Sequence, residues 1–137
     1  YPGVPKLKLH ELAPHEPLHV GDLTIVPIQV MHGKMPILGF RIGSFAYITD
    51  MKTIADTELP YLEGVETLVV NALRFKKAHH SHQLVDDAVR FAHRIGAKQT
   101  YITHVCHHIG LYTDAQKRMP EGVTLAYDGE VITVDAE

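Results

Sequence analysis

Histidine and aspartate recur where this chain is expected to leave its regular elements. His32 stands in "VMHG" after a β-branched run, Asp50 closes "AYITD", His82 ends "HHSH" ahead of a helical stretch, and His104 follows "YIT". Neutral imidazole nitrogens and a carboxylate are the donors that borderline divalent metals accept, and an aspartate can bridge two ions. Each residue also has an ordinary role: His32 as a loop residue, Asp50 as a turn aspartate bonded to nearby amides, His82 as a helix cap. His104 is different because Cys106, His107 and His108 crowd behind it. Cys106 invites a Cys–His nucleophile, but no third group is spaced to orient it, and it reads as a small apolar packing residue. His10, His15, His19 and His93 are assigned to surface or ordinary polar roles.

The elements that would position these residues follow from periodicity. Short strands are expected at 6–12 and 17–20, separated by Pro14 and Pro17. The run 23–30 is a strand whose Pro27 suggests an edge or a bulge. Residues 39–42 and 44–49 read as a hairpin around Gly43, 56–62 as a short helix limited by Pro60, and 66–70 as a buried strand ending at Asn71. Leu84, Ala88, Phe91, Ala92 and Ile95 recur at helical spacing, with Ser81 or His82 at the start and Gly96 as the C-cap. Another buried strand covers 98–103, a brief helix 113–119, and a hairpin joins 123–127 to 131–134 around Asp128-Gly129. Strand-end residues His32, Asp50 and His104 converge if their strands lie side by side, and the helix start carrying His82 can approach the same edge. The pattern is one α/β domain over 1–137, with mixed α+β layers and one strongly amphipathic helix.

Composition narrows the partners. The 137 residues are 45% hydrophobic with a formal net charge of −3, and the basic residues are scattered rather than clustered. A nucleic-acid or membrane surface is therefore not expected as the main partner, whereas a small anionic substrate is compatible. Cys106 is the single cysteine, so no internal disulfide can form and a reducing, cytoplasmic location is expected. Eleven histidines spread from His10 to His108 are the unusual number.

The ordered set "VMHG", "AYITD", "HHSHQLVDDA" and "YITHVCHHIG", closed by "LAYDGEVI", resembles the C-terminal half of metallo-β-lactamase-fold hydrolases. It is most similar to the branch containing the phosphonate-pathway cyclic-phosphate phosphodiesterases and, more distantly, the tRNA 3′-processing endonucleases. The resemblance implies half of an αββα sandwich and a dinuclear centre of zinc or manganese, with iron a third candidate. It makes His32 a terminal ligand of one ion, His104 of the other, and Asp50 the bridge. His82 would contact the scissile phosphate or assist the leaving group, with His79 and His80 as competitors for that role, and His107 would orient a ligand from behind. The activity implied is a metal-dependent hydrolase, a phosphodiesterase using a metal-activated water on a small phosphodiester or related ester. The family's His-x-His-x-Asp-His motif does not occur in these residues. The expectation is therefore a C-terminal portion with an incomplete site, weak metal binding and a homodimer covering the open face. A non-catalytic metal-binding or interaction module on the same half-fold is the alternative.

Overall fold

The computed structural model describes residues 3–134. Seven strands form one mixed sheet in sequence order: β1 Leu18–Val20, β2 Leu23–His32, β3 Met35–Ile42, β4 Phe45–Ile48, β5 Thr67–Asn71, β6 Gln99–Thr103 and β7 Val123–Leu125. The first four make an antiparallel meander, and β4 to β7 run parallel. Parallel neighbours need crossovers, supplied here by a 3₁₀ segment Asp56–Leu62, helix α1 Val85–Ile95 and helix α2 Tyr112–Gln116. Strands β2 and β4 point the same way, because two antiparallel steps separate them. The ends of β2, β4, β5 and β6 therefore share one edge of the sheet.

Period-two alternation assigns the faces. Ile28, Val30, Ala46, Ile48, Leu68, Val70, Ile102, Val123 and Leu125 form one core with Leu62, Val85, Ala88, Phe91, Ala92 and Ala115 from the crossovers. Ile28, Ile48, Leu62 and Leu68 are fully buried, each contributing about 1.5–3 kcal/mol of transfer free energy. The opposite face carries the cross-strand row Pro27, Phe40, Tyr47, Val69, Tyr101 and Thr124. Of this row Tyr47 is 45% exposed, Phe40, Tyr101 and Thr124 are half-buried, and Pro27 and Val69 are buried. The crossover residues of the core pack on the other face, the arrangement of half of a layered sandwich.

Helix α1 begins later than the sequence suggests. Its N-cap is Leu84, whose N–H is accepted by Asp87 Oδ2 at 3.0 Å, so Ser81 and His82 lie in the loop before it. Gly96 closes the helix as expected, in the left-handed region with φ 76°. Pro27 sits inside the sheet rather than on its edge. Its carbonyl accepts His15 N–H at 2.8 Å, so its missing donor faces the side where β1 has already ended. Buried Glu58 completes that side, its Oε2 accepting Gln29 N–H at 3.0 Å and standing 2.7 Å from His15 Nε2. His15 also stacks on Tyr61 with centroids 3.7 Å apart, so it braces the fold rather than decorating the surface.

Two sequence expectations fail for lack of a partner. Residues 6–12 form no strand, with Leu9 92% exposed, and 131–134 do not return as a hairpin arm, with Val131 88% exposed. Alternation without a neighbour to supply ladder hydrogen bonds leaves extended chain. The second brief helix spans Tyr112–Gln116 rather than 113–119. No helix among the described residues is long and apolar enough to cross a membrane.

Candidate metal centre

The register of the parallel strands brings the site together. Ile48, Val70 and Ile102 are neighbours in the ladder, so Asp50 and His104, each two residues further on, leave the sheet at one level. Both adopt φ 58°, in the left-handed region that aspartate and histidine tolerate better than most residues. This sharp exit bends each side chain across the strand ends instead of continuing the alternation. Asp50 Oδ1 stands 3.6 Å from His104 Nε2 and 3.9 Å from His82 Nδ1.

His32 arrives from the end of β2. Its Nδ1 faces two carbonyl oxygens, Asp50 at 2.8 Å and Ser81 at 3.1 Å. Carbonyls only accept, so Nδ1 carries the proton and Nε2 keeps a free lone pair, the tautomer and orientation that a metal ligand needs. The ring meets that of His82 edge-on, with centroids 4.8 Å apart.

His82 is carried by a loop whose anchor is His79. His79 Nδ1 accepts the N–H groups of Ser81 and His82, both at 3.3 Å, and pairs with Ser81 Oγ at 3.2 Å. That nitrogen is thereby used in shaping the loop. His80 packs on His79 and, with His32, Gly33, Lys34 and Ser81, lines a cavity of about 550 Å³. Of the three histidines, the one placed against Asp50 is His82. Its Nδ1 is buried and has no hydrogen-bond partner among the described residues. Burial, then the nearby His32, lowers its pKa, with His79 and His104 adding to the effect and Asp50 opposing it. A neutral imidazole with an unpartnered nitrogen is suited to a cation or to a polar group of a substrate.

The donor set fits a divalent ion. One ligand atom each from His32, Asp50 and His82 lies within 4.8 Å of the others, and His104 Nε2 approaches the same Asp50 oxygen, Oδ1, that faces His82. His107 is exposed, and its ring packs on His108 with centroids 3.9 Å apart. Cys106 Sγ is 3.8 Å from His108 Nδ1.

Sequence reasoning missed the residues that hold this geometry. Asn71, fully buried at the end of β5, accepts Met51 N–H through Oδ1 at 2.8 Å and donates through Nδ2 to the Met51 carbonyl at 3.0 Å. Gln83, also buried, donates to the Asn71 carbonyl at 2.8 Å, and Lys52 Nζ donates to the His82 carbonyl at 3.1 Å. The extended stretch after β5 bonds both histidine loops, Leu73 N–H to the Gln83 carbonyl and Cys106 N–H to the Leu73 carbonyl. An amide side chain directly after the apolar run Leu68–Val70 was the one signal available.

Residues 2–105 match the family described as "Beta-lactamase superfamily domain". A Porphyromonas gingivalis protein named octanoyltransferase is 40% identical over 135 residues, which is 98% of this chain and 27% of that protein. A crystal structure described as a new diphosphatase from the PhnP family superposes with TM-score 0.88 at 33% identity, over 94% of this chain and 50% of that one. The metallo-beta-lactamase fold protein YhfI from Bacillus subtilis shares the fold, with TM-score 0.66 at 22% identity over 87% of this chain and 53% of its own. The chain thus spans about half the length of these solved relatives and about a quarter of the curated one.

Proposed function

Since the chain belongs to the beta-lactamase superfamily, we propose that it supplies the C-terminal share of a metal-dependent hydrolase site acting on a phosphodiester. The observation that carries this is the convergence of His32, Asp50, His82 and His104 on one sheet edge, with Asp50 Oδ1 within 3.9 Å of nitrogens of both His82 and His104. His32, through Nε2, and His104 would each offer a nitrogen to a metal ion, and Asp50 would offer its carboxylate. Two divalent ions held there would supply Lewis acidity and a water deprotonated near neutral pH. The aspartate's left-handed backbone and the Asn71 tether keep its carboxylate in place before anything binds. His82 meets the substrate: its free Nδ1 donates to, or protonates, an oxygen of the phosphoester. The loop anchored by His79 and Lys52 holds that ring at the required distance.

The diphosphatase relative supports chemistry at phosphorus over acyl chemistry. The octanoyltransferase name describes a protein most of which lies outside the matched stretch. The fold itself hosts many reactions, so the substrate must be read from the site. The test uses the intact protein, loaded with zinc or manganese, on bis(4-nitrophenyl) phosphate. Turnover that is abolished by chelator and restored by metal supports the proposal, and Asp50→Ala is expected to lower metal content and rate together. A metal-replete protein that hydrolyses a thioester or lactam but no phosphodiester would refute it.

A further inference from the structure

His79 is half-buried, and its two ring nitrogens do different things. Nδ1 stands 3.3 Å from the backbone nitrogens of both Ser81 and His82 and 3.2 Å from Ser81 Oγ. A backbone N–H can only donate, so Nδ1 is the unprotonated nitrogen and the proton of the neutral ring sits on Nε2. A second proton, on Nδ1, would face two amide hydrogens and cost both bonds. Partial desolvation, then the neighbouring His80 and the charges of Arg74 and Lys52, lower the pKa in the same direction. The loop thus fixes both the tautomer and the charge of this ring. It is a neutral donor.

Nε2 has no such role in the fold. The two nitrogens of an imidazole point to roughly opposite sides of the ring, so turning Nδ1 into the loop turns Nε2 out of it. Among the described residues Nε2 makes no hydrogen bond, and it is not buried. Beside the ring stand the other two imidazoles of the loop, His80 with centroids 4.3 Å apart and His82 with centroids 5.1 Å apart. His82 in turn places its Nδ1 3.9 Å from Asp50 Oδ1. His79 is therefore one ring removed from the metal centre, at its rim.

Shaping the loop does not require a histidine. Aspartate and asparagine ordinarily accept the amides of a turn, and either would serve His82 as well. What histidine adds is the N–H on the far side of the ring.

We propose that His79 is a second substrate-contacting residue, donating its Nε2–H to a non-bridging oxygen of the phosphoester beside His82. The inference rests on the hydrolase proposal above and divides the work between two imidazoles. His82 serves the leaving oxygen, and His79 holds the charge that stays on phosphorus. A donor whose orientation is fixed before substrate arrives stabilises that charge without reorganising.

His79→Asn separates this contact from loop shaping. The asparagine Oδ1 takes the place of Nδ1 and can accept the same two amides, while nothing reaches the position of Nε2. The substrates are methyl 4-nitrophenyl phosphate and the two enantiomers of its phosphorothioate, each with sulfur in place of one non-bridging oxygen. In the intact, metal-loaded protein the variant is expected to keep its metal content and lose about 10²-fold in kcat/KM on the phosphate. Sulfur is a poor acceptor, so the loss should shrink to about threefold or less on the enantiomer that turns sulfur towards residue 79. The other enantiomer should follow the phosphate. Equal losses on all three substrates, an unchanged rate, or metal lost from the variant would overturn the inference and leave the hydrolase intact.

If the wild-type protein hydrolyses none of the three, the hydrolase proposal fails. The donor is then judged by the ¹⁵N resonances of its histidines at neutral pH, during titration of the metal-loaded protein with inorganic phosphate. A His79 ring protonated at Nε2 alone, whose N–H resonance shifts saturably with phosphate, supports the contact. A proton on Nδ1, or no response to phosphate, overturns it.

Discussion

Asn71→Ala tests whether the site is held from behind. The fully buried amide closes two hydrogen bonds onto the Met51 backbone, accepting at 2.8 Å and donating at 3.0 Å. Truncation leaves a buried N–H and a buried carbonyl unpaired, at about 1–3 kcal/mol each, so the expected loss of stability is about 2–6 kcal/mol. The consequence for the site is local. Asp50 precedes Met51 directly and sits at φ 58°, a conformation costing an ordinary residue about 1–2 kcal/mol. Without its tether the backbone relaxes, and the carboxylate leaves its place 3.6 Å from His104 and 3.9 Å from His82. Loss of a group that orients a ligand weakens metal binding by about 10–100-fold. Stability is read by urea unfolding in chelator, and metal affinity by competition with a chromophoric chelator under native conditions. Leu125→Ala is the control: it empties a buried site on β7, costs about 2–5 kcal/mol, and stands on a residue whose backbone bonds run to Gln116 and Tyr112 side chains. Equal loss of metal affinity in the two variants would show that Asn71 acts only through global stability, and would refute the positioning role.

His82→Ala in the intact protein should keep the metals and lower turnover by about 10²–10⁴-fold, with part of the loss recovered on substrates whose leaving group needs no proton. Because His82 lies within ligand reach of Asp50 and His32, metal stripped from this variant as from Asp50→Ala would instead make it a ligand. Gly122→Ala places a Cβ 2.8 Å from the Lys98 carbonyl at φ +75°, whereas Gly129→Ala at φ +85° meets nothing within 4 Å. Urea unfolding should show about 1 kcal/mol lost at Gly129 and distinctly more at Gly122, where the β6–β7 junction must also shift. A polypeptide of these 137 residues alone should associate through the partly exposed Phe40–Tyr47–Tyr101 face, and sedimentation showing a monomer at micromolar concentration would contradict this. The same polypeptide should release its divalent ions on dialysis against chelator, since three proposed ligands cannot close two sites; retention of two ions per chain would contradict that.

What the amino-acid sequence determined by itself was local. Alternation marked the buried strands, so β5 and β6 lie within a residue of their expected bounds, and the spacing of Leu84 to Ile95 with Gly96 marked α1 and its end. Residue type at strand ends singled out His32, Asp50 and His104, because a polar group following an apolar run must leave the core with it. Partnership was not legible. Residues 6–12 and 131–134 carry strand-like alternation and find no ladder, while 35–38 extend β3 beyond its expected start because β2 offers hydrogen bonds there. Spacing does not separate His79, His80 and His82; what distinguishes them in the fold is that the loop uses the His79 Nδ1, while the buried His82 Nδ1 has no partner among the described residues. The tertiary structure alone brought Asn71 to Met51 and Arg118 to Phe75, contacts between elements whose sequence separation carries no periodic signal. Local propensity is set by neighbours along the chain, whereas a site is set by neighbours across it.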